Sequence, residues 1–111
     1  MKDEFEKDYP HKIHEKPYII CSAIYVLNNR VYKGQPRNIK EGIVITGRRH
    51  SDCYNTLICL DYDMIKNYED IQGFLTSNNR FVDRKEAYRI ALESGQIEER
   101  EHELLISEDL Y

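Results

Sequence analysis

Ten consecutive residues, Tyr18 to Leu27 (YIICSAIYVL), contain no Asp, Glu, Lys or Arg, although 32% of the chain is charged. The run is rich in β-branched and aromatic side chains, so Tyr18–Val26 reads as a buried strand. A buried strand needs a sheet around it, and the flanking sequence offers several partners.

Asn28-Asn29 can take the left-handed backbone of a tight turn, which predicts Arg30-Val31-Tyr32 as the return strand of a hairpin. Gly34-Gln35-Pro36 opens a polar loop reaching to about Gly42. Ile43-Val44-Ile45 is a second strong strand, closed by Thr46-Gly47. A helix is expected from Ser51 or Asp52, both good N-caps. Cys53, Leu57, Leu60 and Met64 fall on one face of that helix, while Asp61-Tyr62-Asp63 weakens its C-terminal half. Gln72 to Thr76 reads as a further strand, and Ser77-Asn78-Asn79 as the turn into Arg80-Phe81-Val82. Asp83 with Glu86 makes a capping-box pattern. The helix it opens runs to Ser94, with Ala87, Ile90 and Ala91 inward and Gly95 as its left-handed stop. Leu104-Leu105-Ile106 gives one more short strand or docking segment.

Residues 1–17 have weak periodicity, Pro10 and Pro17, and mixed charge, as expected of a flexible arm or of a segment ordered by a partner. The 111 residues therefore divide into an arm (1–17) and a single domain (18–111). The fold class expected is α+β: a small antiparallel sheet of about four or five strands with two helices.

The net charge is -4, against the cationic excess that a coat for long nucleic acid would carry. No window approaches the roughly eighteen apolar residues of a membrane span. Three cysteines, Cys21, Cys53 and Cys59, form no CxxC pair, and free thiols fit a reducing cytosol better than a disulfide framework. Charge is unevenly spread. Residues 28–50 hold Arg30, Lys33, Arg37, Lys40, Arg48 and Arg49 against Glu41 alone, and residues 93–111 hold one cation, Arg100, among seven acids. A localised basic segment on an acidic chain suits a small or local anion, or simply a solvated face.

Three constellations bear on chemistry. Gly47-Arg48-Arg49-His50 precedes a helix start, where unpaired backbone N–H groups favour phosphate. Two forked guanidiniums and an imidazole add donors there, and Gly47 would let a ligand approach the backbone. The hairpin around Phe74, Thr76, Asn78, Asn79, Arg80, Phe81 and Arg84 offers a ring for stacking and amides for base edges. By alternation Phe74 shares a face with Thr76 and Phe81 with Asp83, so one ring could pack inward while the other stays accessible. The third set, of catalytic groups, is poor. His11, His14 and His102 read as surface histidines, Cys53 reads as a core thiol, and no metal-binding or nucleophile-elbow motif occurs. Nothing here argues for an enzyme.

The order GRRHSDC, then QGFLTSNNRFVDRKEAYRIALESGQI, then LISEDLY at the C-terminus resembles the first-described type of Thoeris anti-defence protein. That family consists of small phage proteins which counter the bacterial Thoeris system. The resemblance covers residues from about 19 to 111, and FVDRKEA and SEDLY are its most specific pieces. It implies a sponge that sequesters a glyco-cyclic ADP-ribose signal without cleaving it. It also implies self-association as dimer or hexamer and, as in some members, capture of cyclic trinucleotides at separate sites. Neither cofactor, metal, membrane nor long nucleic acid is implied, and the setting would be the host cytoplasm. Under this reading Arg48, Arg49 and Arg80 or Arg84 hold the pyrophosphate, with His50 beside them, and Phe74 stacks the adenine. Asn78 or Asn79 and Thr76 would bond ribose hydroxyls or base edges. Two other classes compete. One is a small phosphodiesterase or nucleotide hydrolase with His50 as acid or base; the other is an interaction module that docks a protein through the basic stretch and acidic tail.

Overall fold

In a computed structural model that describes residues 16–60 and 69–110, the uncharged run forms β1 (Ile19–Leu27), an inner strand of a four-stranded sheet. Its neighbours are β2 (Ile43–Gly47) and β3 (Glu69–Thr76), and β4 (Phe81–Asp83) completes the order β2-β1-β3-β4. Every adjacent pair is antiparallel. Helices α1 (His50–Ile58) and α2 (Arg84–Glu93) follow β2 and β4. The α+β class expected from the sequence is the fold observed. Two expectations, the arm and the C-terminal part of the first helix towards Met64, fall largely or wholly outside the described residues.

Cross-strand partners share a face, so the pairings Ser22↔Phe74, Ile24↔Ile45 and Phe74↔Val82 define one surface. A β-bulge between Ile19 and Cys21 brings Ile19 onto that same surface, breaking the simple alternation. Both helices cover it. Cys53 and Leu57 of α1 pack on Ile24, Val26 and Ile45, while Ala87, Tyr88 and Ala91 of α2 pack on Ile19, Phe74 and Val82. Each fully buried large apolar side chain stabilises the fold by about 1.5–3 kcal/mol.

The Tyr25 and Phe81 part of the opposite face is covered by residues 28–42, while Leu27 and Ile71 stay exposed, and here the sequence expectation is corrected. Arg30-Val31-Tyr32 is not a return strand; Val31 makes only an isolated bridge to Gly42. Asn29 does take the left-handed conformation (φ 62°). The place beside β1 goes instead to Ile43–Ile45, which offers it an apolar face. Residues 28–42 form a strap across Tyr25 and Phe81, whose rings lie 5.6 Å apart. Gln35 Oε1 accepts the Val44 N–H at 2.8 Å. The Asn38 side chain accepts the Phe81 N–H at 2.9 Å and donates to its carbonyl at 2.8 Å. Arg30, Lys33, Arg37 and Lys40 stand exposed on this strap. The basic segment is thereby split between the strap and the start of α1.

Helix α1 begins at His50, slightly earlier than expected. Arg49 is its N-cap, and Asp52 acts from three residues downstream by accepting the Arg49 N–H at 3.1 Å. Helix α2 keeps its expected signals: Asp83 accepts the Glu86 N–H at 2.8 Å and Gly95 closes the end at φ 82°. Such an N-cap contributes about 1 kcal/mol.

The acidic tail docks rather than adding a strand. Leu105 is fully buried in the α2 cluster, and its N–H donates to the Arg84 carbonyl at 3.1 Å. Arg100 fastens the segment: it grips Asp109 through two hydrogen bonds of 2.7 and 2.8 Å and donates to the carbonyls of His102 and Leu104. Its guanidinium also lies 5.6 Å from the Tyr88 ring centroid. The Arg100 hydrogen bond holds the Asp109 carboxyl below its ordinary range. A short 3-10 turn, Ser107–Asp109, follows.

Candidate functional site at the start of helix α1

The 3-10 turn lies against the first residue of α1. Ser107 is 3% exposed, yet its hydroxyl has three partners. His50 Nε2 lies 2.8 Å from the Gly73 carbonyl, which can only accept, so in the neutral imidazole the proton sits on Nε2. His50 Nδ1 then accepts from Ser107 Oγ at 2.7 Å. The Ser107 oxygen in turn accepts the His50 backbone N–H at 3.1 Å. Ser22 Oγ–H, 2.8 Å from Ser107 Oγ and 3.2 Å from the Arg48 carbonyl, shares its single hydrogen between them. The result is a polar bolt from the tail, through His50 and Ser22, to two strands of the sheet.

Next to this bolt is a cavity of about 210 Å³ lined by Arg49, His50, Ser51, Arg84, Ile106, Ser107 and Glu108. Two guanidiniums and the first turn of α1 meet there, although the arginines are 35 positions apart in the chain. Arg84 Nη2 donates to Gln72 Oε1, while Gln72 Nε2 donates to the Tyr54 hydroxyl at 3.1 Å. Arg84 Nε is buried and has no hydrogen-bond acceptor among the described residues. A larger hollow of about 420 Å³, beside Lys16, Tyr18 and Glu93, has one cation and no such convergence.

The profile of the phage T4 y16D protein family matches residues 18–111. The chain belongs to the phage T4 y16D protein family. No curated protein and no solved structure matches it.

In this member of the y16D family the residues singled out from sequence separate into three groups. Arg49, His50 and Arg84 converge on the cavity. Arg48 is exposed but does not line it; its carbonyl serves the Ser22 hydroxyl. Gly47 leaves no room for a ligand, because a Cβ there would meet the Asp52 side chain at 3.0 Å. The hairpin residues lie elsewhere. From Gly73, beneath His50, to Thr76 is about 10 Å of strand, with Asn78 and Asn79 beyond it. Asn79 turns the hairpin at φ 61° and its carbonyl accepts the Arg37 N–H at 2.9 Å. Arg80 pairs with Glu86 at 3.4 Å. Thr76 is fully buried, and its hydroxyl donates to Asn78 and accepts the Arg80 N–H.

The stacking role expected of Phe74 is corrected. Phe74 has no exposed surface; the His50 ring sits edge-on to it at 5.1 Å. Phe81 is buried as well, at 7% exposure, because the strap covers the second face there. Cys53 is a core thiol, as expected, and burial pushes it up to about 11, well away from thiolate chemistry. Ser107, Glu108 and Ser51 completed the cavity without being foreseen. The available signal was the SEDLY ending, a specific sequence piece in search of a structural role. Among the described residues no cluster of His, Cys, Asp or Glu could hold a metal ion, and no helix is long and apolar enough to cross a membrane.

Burial lowers the His50 pKa, and the Arg84 charge lowers it further, against opposing effects of the Gly73 carbonyl and Glu108. Below about pH 6.5 the unfolded chain therefore binds more protons at His50 than the native one. Stability is fullest above that value and falls as pH drops towards the depressed native pKa. Thermal melts at about pH 7.5 and 5.5 should show a larger loss of Tm for the wild type than for His50→Asn. Equal losses would place the linkage on other groups.

Proposed function

We propose that this protein binds a nucleotide-derived phosphate ligand of the cyclic ADP-ribose type and holds it uncleaved, withdrawing a Thoeris-type immune signal. The observation that carries the reading is the buried Nε–H of Arg84, without an acceptor, at a cavity that also gathers Arg49, His50 and the start of α1. An unsatisfied buried donor costs about 1–3 kcal/mol, and a turn of the guanidinium from Gln72 onto a phosphate oxygen in the cavity would offset that cost. The positive end of the α1 dipole favours the same charge, although the His50 N–H itself is taken by Ser107. Arg49 and Arg84 hold phosphate oxygens in this reading, and His50 serves as a neutral wall.

Capture without turnover is supported by the polar bolt. Both ring nitrogens of His50 are engaged within the fold, and the Ser107 oxygen has donated its proton and filled both lone pairs. Neither group is spare to act as base or nucleophile. The cavity is smaller than the roughly 300–1,000 Å³ that encloses a drug-sized ligand. It takes one ribosyl phosphate, so a second copy of the chain would cover the remainder of a cyclic dinucleotide-sized molecule.

The test is mass spectrometry of what the protein releases on heat denaturation after incubation with the product of a TIR-domain enzyme. Intact cyclic ligand is the expected result; a linear or hydrolysed product would establish an enzyme instead. Arg49→Ala and Arg84→Ala should each weaken binding by about tenfold to a hundredfold, the scale of one charge-assisted hydrogen bond. Calorimetric affinities unchanged in both variants would remove this corner from the binding site.

A further inference from the structure

Glu108 is an acid in a cavity otherwise suited to an anion. Its carboxylate makes no hydrogen bond or ion pair with any described residue, and the residue is exposed. Its backbone is nonetheless held on both sides. Ser107 is bolted to His50 and Ser22, and Asp109 is gripped by Arg100 and accepts the Ile106 N–H at 2.8 Å. A carboxylate so placed could serve as an internal counter-ion for the arginines, but it touches neither guanidinium. Arg84 is turned towards Gln72 instead.

The geometry points to Glu108 as the residue that reads the vicinal hydroxyls of a ribose next to the phosphate held by Arg49 and Arg84. This rests on the anion-binding reading above and makes it more specific: the ligand class is a ribosyl phosphate with a free cis-diol. An ionised carboxylate only accepts hydrogen bonds and has two oxygens to do so, and a cis-diol presents two donors side by side. Dinucleotide-binding folds use an acidic side chain in the same way. The wall supports a sugar over a base, since among the described lining residues Ile106 is the one apolar side chain, no Phe or Tyr is present, and both nitrogens of the His50 ring are held by the fold. Glu108 therefore determines specificity, while the cations supply the affinity.

Calorimetry of the wild type and Glu108→Gln with three probes tests this: inorganic pyrophosphate, ADP and deoxyADP. Wild type should prefer ADP to deoxyADP by about tenfold, the worth of one hydrogen bond to a charged group. In Glu108→Gln that preference should collapse towards unity, while pyrophosphate binds as tightly as before or tighter, because a negative charge has left the cavity. If instead Glu108→Gln binds all three probes more tightly by the same factor, or the wild type shows no preference, Glu108 is only a counter-ion and the inference falls alone. If the wild type binds none of the three, the anion-binding reading falls and takes this one with it. An unchanged Tm in Glu108→Gln checks that the exposed substitution leaves the fold intact.

Discussion

Phe74→Ala is expected to lower the stability of the domain by about 3–5 kcal/mol, the usual cost of emptying a buried phenylalanine site. Phe74 has no exposed surface, and its cluster joins Ile19 of β1, Val82 of β4, three α2 residues and Leu105 of the tail. Few neighbours can collapse into the void, because they are anchored to four different segments. A domain of this size has only about 5–15 kcal/mol in all, so the variant should approach unfolding at physiological temperature. Urea denaturation gives the direct measurement. Phe74→Leu should recover much of the loss, whereas a change below 1 kcal/mol for the alanine variant would mean the ring is not a core element. Binding of the proposed phosphate ligand should also fall in Phe74→Ala, through loss of the support beneath His50 rather than loss of a stacking surface.

Gly73→Ala should be nearly as damaging for a different reason. A Cβ at Gly73 would lie 2.1 Å from the Val82 carbonyl oxygen and 2.7 Å from the Phe81 ring. Overpacking of this kind costs about 1–3 kcal/mol when side chains can shift. Here the nearest atom is backbone in the partner strand, so the cost should reach the upper end of that range or exceed it. Moving β3 away from β4 also displaces the Gly73 carbonyl that receives the His50 Nε2–H. Two readouts are therefore expected to change together: the urea midpoint falls, and the imidazole titration of His50 moves in a two-dimensional NMR series. Adding Phe81→Leu removes the ring from the clash but leaves the carbonyl, so the double variant should remain destabilised. Full recovery by Phe81→Leu would show that the ring alone excludes a side chain there.

The parts of the fold legible from sequence were those with local signals. β1 was evident from the uncharged run, the β3–β4 hairpin from its Asn79 turn, and α2 from Asp83 and Gly95 at its two ends. The return strand at Arg30–Tyr32 failed although its turn residue behaved as expected. Strand pairing depends on which segment offers β1 an apolar face, and Ile43–Ile45 does so better than a stretch carrying Arg30 and Lys33. Alternation correctly placed Phe74 with Thr76 and Phe81 with Asp83, but it gave no sign that the second face is covered at Phe81. Two buried phenylalanines follow only once the strap is seen over the second face. Half of the corner site was readable, since Arg49 and His50 sit beside a helix start. Arg84, named from the sequence only as an alternative to Arg80, arrives from another helix, and Ser107 and Glu108 come from the tail 57 and 58 positions beyond His50. No spacing rule connects them. Their meeting is set by the docking of Leu105, whose apolar neighbours read equally well as a short strand.

The strap has a further consequence. Exposed outer strands invite other chains to add to a sheet. Here Gln35 occupies the outward amide of Val44 on β2, and Asn38 occupies both outward groups of Phe81 on β4, which is only three residues long. At both margins of the sheet, outward backbone groups are thus taken up by side chains of the same short segment. A strand added at Val44 or at Phe81 would first have to displace the Gln35 or Asn38 amide, so two neutral side chains guard the margins where charged ones often serve.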